Sequence, residues 1–279
     1  MCIVDAEAEV NVLLILYRFF LTPEKQSKKT ELKPIMTGGK MPAVRAILFD
    51  KDGTLFDFDA TWGAWAAGLL TDLSGGDPSV AQHLASAIGF DLSTHTFDKT
   101  SPVIAGTPED IAKVMLPVLP GSNPSSLISH MNVLAATAPQ ASVRDLVPTL
   151  ENLKARGLKI GVATNDAIAP ARAHLASENI LELFDFVSGF DSGYGSKPHP
   201  GPCYAFADQM RLRPGECAMV GDSRHDLLAG RAAGMKTIAV LTGPAEAETL
   251  KPLADIVLND ISEIPGYLDR IAEMSTTAA

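Results

Sequence analysis

The sequence is poor in cysteine and carries no apolar segment long enough to span a membrane. Its three cysteines form no C-x-x-C pair, and an odd number disfavours a disulfide framework, so we expect a reducing, cytoplasmic setting. The apolar run Val10–Leu21 is interrupted by Arg18 and is shorter than the roughly 20 residues that a membrane span needs. It also lacks the basic segment of a secretory signal. These absences predict a protein without a membrane partner.

Basic residues are also scarce. The 279 residues include 23 Lys and Arg against 33 Asp and Glu, which gives a formal net charge of -10. Proteins that bind nucleic acid need a basic face, and no cluster of that kind follows residue 40. We therefore expect no nucleic-acid partner. The length suffices for a core domain with a smaller second domain.

Residues 1–40 are predicted to be an extension outside the fold. An acidic start, an apolar run and a Lys-rich stretch precede Met41, and strand-like sequence begins at Val44. We interpret Met41 as the functional start of the chain. The alternative interpretation is a helix that docks onto the fold.

From Ala141 onward, apolar strand-like runs alternate with helical patterns of about ten residues. This alternation predicts βαβ units and a parallel sheet, and continuous apolar strands indicate that both faces are covered. Residues 57–140 instead contain helical patches and no strand pattern. The sequence thus predicts an α/β core domain with a doubly wound parallel sheet, residues 41–56 and 141–273, and a helical cap domain, residues 57–140.

Two acidic residues end the first predicted strand, in the stretch ILFDKDGTLF that runs from Ile47 to Phe56. On an extended backbone, residues i and i+2 point the same way, so the side chains of Asp50 and Asp52 are expected to crowd together. Such crowding is costly unless a cation or a proton is shared there.

Further polar groups follow other predicted strands. Open parallel sheets bind ligands outside the carboxyl ends of their strands, so these groups are expected to meet at one edge. Carboxylate oxygens suit Mg²⁺, whereas a lysine amine and a threonine hydroxyl suit an oxyanion such as phosphate. The groups are Thr164 with Asn165, Lys197, and Asp222 with Asp226.

With these motifs the sequence resembles the phosphatases of the haloacid dehalogenase superfamily, in particular the phosphoglycolate phosphatases. The resemblance covers about residues 43–262 and implies a Rossmann-like core with a cap inserted after the first strand. The insertion itself lacks an obvious signature for substrate choice. The family's motifs correspond here to D-x-D-G-T at Asp50–Thr54, a Ser/Thr at Thr164, K-P-x-P at Lys197–Pro200 and G-D-S-x-x-D at Gly221–Asp226.

The resemblance implies catalytic roles for residues in these motifs. Asp50 would attack phosphorus and form an aspartyl-phosphate, while Asp52 would protonate the leaving alcohol and then take a proton from water. Thr164, Asn165 through its backbone, and Lys197 would bind the phosphoryl oxygens.

The resemblance also implies a magnesium site. Mg²⁺ would bind the Asp50 carboxylate, the backbone carbonyl of Asp52 and the Asp222 carboxylate, and would neutralise phosphate charge. Asp226 would lie in the outer shell and orient either the waters of the metal or Lys197.

The function expected from this resemblance is Mg²⁺-dependent hydrolysis of a small-metabolite phosphate monoester, with 2-phosphoglycolate as the first candidate. The cap would act as a lid that excludes water. A sugar phosphomutase is an alternative of the same fold, and a non-catalytic metabolite-binding or regulatory protein is an alternative of another class. A dehalogenase is disfavoured because it would lack the acid at Asp52. Whether the chain is a monomer or a homodimer stays open.

Within the insertion, Trp62 and Trp65 have the spacing of one helix face. Packing inside the insertion is the favoured interpretation, and contact with the substrate is the alternative.

Overall fold

The computed structural model of this protein describes residues 44–277, and the predicted extension at residues 1–40 lies outside them. A six-stranded sheet forms the core in the order β5-β4-β1-β6-β7-β8, and all its neighbouring strands are parallel. The predicted α/β class with a doubly wound parallel sheet is confirmed. In chain order the strands are β1 (Ala46–Phe49), β2 (Phe90–Asp91), β3 (Thr96–Phe97), β4 (Lys159–Ala163), β5 (Phe186–Ser188), β6 (Cys217–Gly221), β7 (Lys236–Val240) and β8 (Ile256–Leu258).

Helices connect the strands and form the insertion. Within the described part of the chain, none of them combines the length and the apolar content needed to cross a bilayer. The helices are α1 (Phe58–Ser74), α2 (Pro78–Ala87), α3 (Pro102–Ala105), α4 (Pro108–Met115), α5 (Pro124–Ala135), α6 (Leu146–Ala155), α7 (Ile168–Ser177), α8 (Gly201–Gln209), α9 (Arg224–Ala233), α10 (Ala247–Leu250) and α11 (Ile264–Thr277).

Strand β1 lies in the middle of the sheet and is buried on both faces. Ile47 and Phe49 join one hydrophobic cluster, and Ala46 and Leu48 join another. All four side chains are fully buried. The continuous apolar run at this strand therefore follows from burial of two faces rather than one.

Helix α6 shows how local signals set the ends of a helix. Asp145, directly before it, has a left-handed backbone with φ 54°, so the helix begins at Leu146, three residues after the start of the helical pattern. Gly157 follows the helix at φ 80°, a conformation that glycine adopts without steric cost. Leu146, Leu150 and Leu153 are buried, as their helical spacing predicts.

The insertion between β1 and β4 is mainly helical and packs around its own hydrophobic cluster, which includes Trp65, Leu69 and Met115. It also contains the short antiparallel hairpin β2–β3, which the sequence did not predict. Each strand of the hairpin has only two residues, too few to show the alternation by which strands are recognised. By its contacts the insertion belongs to the same compact unit as the sheet.

Candidate active site

Polar side chains collect at the carboxyl ends of three adjacent strands. Asp50 follows β1, Thr164 follows β4 and Asp222 follows β6. Because β1 pairs in parallel with both β4 and β6, these ends lie side by side at one edge of the sheet. Lys197 reaches the same edge from the loop that follows β5.

Lys197 links two acidic residues in the interior. Its amine lies 2.5 Å from Asp50 Oδ1 and 2.6 Å from Asp226 Oδ1, and its side chain is 3% exposed. Burial by itself would lower the pKa of Lys197, but the charges of Asp226 and Asp50 outweigh it and raise that pKa. The lysine is therefore a fixed positive charge beside Asp50.

Three carboxylates surround this single lysine. Asp50, Asp222 and Asp226 each offer an oxygen within 4.8 Å of the others. Burial, together with the charge of Asp226, raises the pKa of Asp50 to about 7, and burial with both neighbouring carboxylates raises the pKa of Asp222 well above its usual value. When all three carboxylates are ionised, the cluster has more negative charge than Lys197 balances.

Asp226 is already committed to other partners within this cluster. One of its oxygens faces Lys197, and the other accepts hydrogen bonds from the backbone N–H of Ser223 at 3.0 Å and from its hydroxyl at 2.6 Å. These bonds close a capping box at the start of helix α9. The carboxylates of Asp50 and Asp222 are thus the better placed to hold a metal ion directly.

Asp222 packs closely against the backbone of Gly53 and Gly243. The Thr54 hydroxyl donates to Asp222 Oδ1 at 3.1 Å. A Cβ atom on Gly53 would lie 2.5 Å from Asp222 Oδ2, and Gly53 also has φ 78°, so glycine is required there on both counts. A Cβ on Gly243 would likewise collide with the Asp222 carboxylate.

The carboxylate of Asp52 points to different partners. The amine of Lys51, a fully buried side chain, lies 2.9 Å from Asp52 and 3.3 Å from Asp166. Burial would lower the pKa of Lys51, but Asp52 and Asp166 raise it, whereas burial raises the pKa of Asp166 to about 6. Asp52 is therefore oriented by a buried lysine of its own, separate from Lys197.

His174 on helix α7 completes this second network. Its Nδ1 lies 2.8 Å from Lys51 Nζ and its Nε2 lies 2.6 Å from the backbone oxygen of Ala135. Because a protonated lysine can only donate, Nδ1 accepts and the Nε2–H donates to the carbonyl. Burial and the charge of Lys51 lower the pKa of His174 to about 4, so the ring is neutral. Ala135 ends helix α5, so the network links Asp52 to the insertion.

Thr164 and Asn165 have different surroundings. The Thr164 hydroxyl accepts from the backbone N–H of Asp166 at 3.1 Å, which leaves its own hydrogen available for a ligand. The Asn165 amide accepts from the Lys197 N–H and donates to the Lys197 and Ala105 carbonyls, each at 2.8 Å. Its side chain therefore fixes the Lys197 loop against the insertion.

The structure thus brings all the predicted site residues to one edge of the sheet, while their chemical roles stay predictions. The side chains of Lys51, Asp166 and His174 were not singled out from the sequence. Lys51 offered a signal, since a lysine between two acidic residues after a buried strand is unusual. A single histidine in a helical stretch offered none.

The sequence was compared with models of known protein families. A family model described as haloacid dehalogenase-like hydrolase matches residues 44–234. The match covers the strand ends after β1, β4 and β6 and the loop that carries Lys197.

Among curated proteins, the pyrophosphatase PpaX of Bacillus mycoides is 37% identical over 126 residues, which are 44% of this chain and 58% of that protein. The chain thus spans little more than half the length of the curated relatives it matches. Among solved structures, a predicted phosphoglycolate phosphatase from Haemophilus somnus has a TM-score of 0.64 at 20% identity, covering 80% of this chain and 97% of that one. A β-phosphoglucomutase from Clostridium difficile has a TM-score of 0.59 at 16% identity, covering 84% and 99%. At these identities the solved structures share the fold alone.

Proposed function

Because this chain belongs to the haloacid dehalogenase-like hydrolases, we propose that it is a Mg²⁺-dependent phosphatase that cleaves a small phosphate monoester through an aspartyl-phosphate on Asp50. The observation that carries the proposal is the cluster of three buried carboxylates around one lysine. Three buried carboxylates with one lysine are stabilised by a further cation, which fits the direction of the pKa of Asp50, raised by burial and by the charge of Asp226.

Mg²⁺ fits the donor set of this site. The carboxylates of Asp50 and Asp222, with the backbone carbonyl of Asp52, would hold it through oxygen atoms, the ligands that Mg²⁺ prefers. When bound, the ion supplies positive charge against the phosphoryl oxygens. Asp226 would act from the outer shell, because its oxygens are held by Lys197 and Ser223.

The chain's own residues carry the chemical steps of the proposal. An oxygen of Asp50 attacks phosphorus, and the bond to the ester oxygen breaks as Asp52 gives that oxygen a proton. Asp52 then takes a proton from a water molecule, which attacks the aspartyl-phosphate and releases inorganic phosphate and the free Asp50 carboxylate. Lys197 and the Thr164 hydroxyl stabilise the charge on the phosphoryl oxygens during both steps.

The identity of the ester is a separate matter. The sequence pointed first to 2-phosphoglycolate, and the names of similar proteins include a pyrophosphatase and a phosphomutase. These names describe proteins with partial coverage or a shared fold, so they do not decide the substrate. The chemistry of the cavity walls bears on the substrate more directly.

The proposal is tested by phosphate release from a panel of phosphate esters with Mg²⁺. The wild type is compared with Asp50→Asn and with Asp208→Asn, a matched change at an exposed position on helix α8. We expect Asp50→Asn to lose release by at least a thousandfold, since it removes the nucleophile, and Asp208→Asn to keep it. Equal release by wild type and Asp50→Asn would refute the mechanism.

The covalent intermediate can be sought independently. In Asp52→Asn the second step lacks its base, whereas the first step can proceed with p-nitrophenyl phosphate, whose leaving group needs no proton. With this ester a phosphoryl group should accumulate on the peptide that contains Asp50, as read by mass spectrometry after a rapid quench. Return of the phosphoryl group to a sugar rather than to water would instead identify a phosphomutase. Absence of any release or labelling would favour the non-catalytic binding protein.

A further inference from the structure

The cavity above Asp50 has two chemically different walls. Its volume is about 50 Å³. The wall made by the strand ends carries Asp50, Asp52, Thr164 and Lys197. The wall made by the insertion is mainly apolar and includes Phe58, Trp62, Trp65, Val103, Ile111 and Met131.

Cations are scarce around this cavity. Among the described residues that line it, Lys197 is the one lysine or arginine, and its amine is held by Asp50 and Asp226. Lys51 does not line the cavity. It is fully buried, its amine pairs with Asp52 and Asp166, and the same amine lies 5.4 Å from the centroid of the Trp62 ring.

The insertion contributes no positive charge to the cavity. Residues 57–140 contain eight acidic residues, two lysines and no arginine. Lys99 is 74% exposed and pairs with Glu246, and Lys113 is exposed on helix α4. Polar groups on the lining beyond the strand ends are Asn132, Ser223, His225 and Asp226, and none of them is a lysine or an arginine.

A leaving group in this cavity has to contact the apolar wall. A carboxylate or a second phosphate would lose its water there without meeting a cation, which is unfavourable. A hydrocarbon group would instead gain from leaving water, and the aromatic rings offer it a large contact area.

We propose that the physiological substrate is a small phosphate monoester whose alcohol portion is uncharged and mainly hydrocarbon. This inference rests on the proposed phosphatase function and makes its substrate class specific. It makes 2-phosphoglycolate and inorganic pyrophosphate poor substrates, because each places a second anion against the wall of the insertion.

The test compares kcat/KM values for matched esters with Mg²⁺ at about pH 8, where an imidazole such as that of His225 carries no charge. The esters are butyl phosphate, 2-phosphoglycolate, its neutral amide and pyrophosphate. We expect butyl phosphate to exceed 2-phosphoglycolate and pyrophosphate at least tenfold, with the amide in between. A value for 2-phosphoglycolate or pyrophosphate equal to that of butyl phosphate would overturn the inference and leave the phosphatase function intact. Failure of the wild type to release phosphate from any ester would refute the function itself.

A charge placed on the insertion wall provides a second measurement. Asn132 is a half-buried lining residue on helix α5, outside the catalytic group. We expect Asn132→Lys to raise the ratio of kcat/KM for 2-phosphoglycolate over butyl phosphate about tenfold. Asn132→Met, which has similar length and no charge, should leave that ratio unchanged or lower it. An unchanged ratio in folded Asn132→Lys, or an equal rise in Asn132→Met, would contradict the missing cation as the basis of selectivity.

Discussion

The strand ends and the insertion meet at one cavity but are built from opposite chemistry. The strand ends supply buried charges, and apart from Asp222 these lie beside a partner of opposite sign, as Asp50 and Asp226 lie beside Lys197. The insertion supplies aromatic and aliphatic side chains around its own hydrophobic cluster. The difference separates two tasks: the sheet fixes the groups that would act on phosphorus, and the insertion fixes what can lie beside them.

The two regions also differ in how they contact each other. The insertion presents backbone carbonyls to the strand-end residues: Ala105 accepts from the Asn165 amide, and Ala135 accepts from His174. Both contacts depend on α-helices of the insertion keeping their position over the sheet. The polar network of the core can therefore be disturbed from either side, and substitutions can show which region controls which property.

The largest effect on activity in this comparison is expected from substitution of Lys51, which lies among the strand-end charges. Replacing it with Met removes the amine that orients Asp52, and general acid–base groups contribute about 10²–10⁴-fold to rates. We expect kcat for an alkyl phosphate to fall about a thousandfold in Lys51→Met. The initial burst with p-nitrophenyl phosphate, whose leaving group needs no proton, should persist.

Loss of the buried cation also leaves Asp52 and Asp166 facing each other, so Lys51→Met is expected to be destabilised. Adding Asp166→Asn removes that repulsion and serves as the control. The double variant should recover stability, measured by urea unfolding, without recovering the rate on alkyl phosphates. Parallel recovery of both would mean that Lys51 acts only through folding.

His174 connects the two regions and gives the next largest effect. Its pKa is lowered to about 4 in the folded protein, against about 6.5 in the unfolded chain, so only the unfolded chain takes up a proton between these values. The resulting stability is present above pH 6.5 and is lost as the pH falls toward 4, by about 3 kcal/mol in all.

Measurement requires a comparison between variants, because the buried carboxylates with raised pKa values act in the opposite direction. Between pH 7.5 and pH 5, wild type should lose about 2 kcal/mol more unfolding free energy than His174→Gln. Glutamine can accept from Lys51 or donate to the Ala135 carbonyl but does not titrate. Equal pH dependence in the two proteins would remove His174 as the titrating group.

The sequence predicted the charged region better than the apolar one, for a physical reason. Residues such as Asp50, Thr164 and Asp222 follow buried strands, and the parallel sheet forces strand ends together. No comparable rule predicts which helical side chains reach the site, so His174 was not predicted to belong to it. The hairpin β2–β3 was not predicted either, because four residues carry too little periodicity.

Substrate choice could not be predicted from the sequence alone. The packing of helices α1 and α5 determines which insertion residues line the cavity. Apolar residues on a helix have the same sequence pattern whether they face a core or a cavity. Trp62 and Trp65 illustrate this, since both pack in the hydrophobic cluster and both also line the cavity. The two interpretations offered by their spacing are therefore compatible.

Substitution of the same two tryptophans is expected to have a smaller effect, on the stability of the insertion. Trp65 Nε1 donates to the Met131 carbonyl at 3.1 Å, whereas the Trp62 indole N–H, also buried, has no hydrogen-bond partner among the described residues. Replacing either with Phe removes similar volume, so Trp65→Phe should cost about 1 kcal/mol more unfolding free energy than Trp62→Phe. Equal costs in urea unfolding would contradict a net contribution of the Trp65 hydrogen bond beyond the contacts of Trp62.

The smallest effect on stability and activity is expected from substitutions at an ion pair between the insertion and the core, outside the cavity. Lys99 of the insertion pairs with Glu246 of the core, but their side chains are 74% and 65% exposed, so water screens the pair. Lys99→Ala, Glu246→Ala and the double variant should therefore match wild type in both urea midpoint and kcat/KM. If each single variant instead raises KM and the double variant raises it no further, the external pair helps to hold the insertion closed. In that case the position of the insertion would depend on surface charge as well as on the buried contacts from Asn165 and His174.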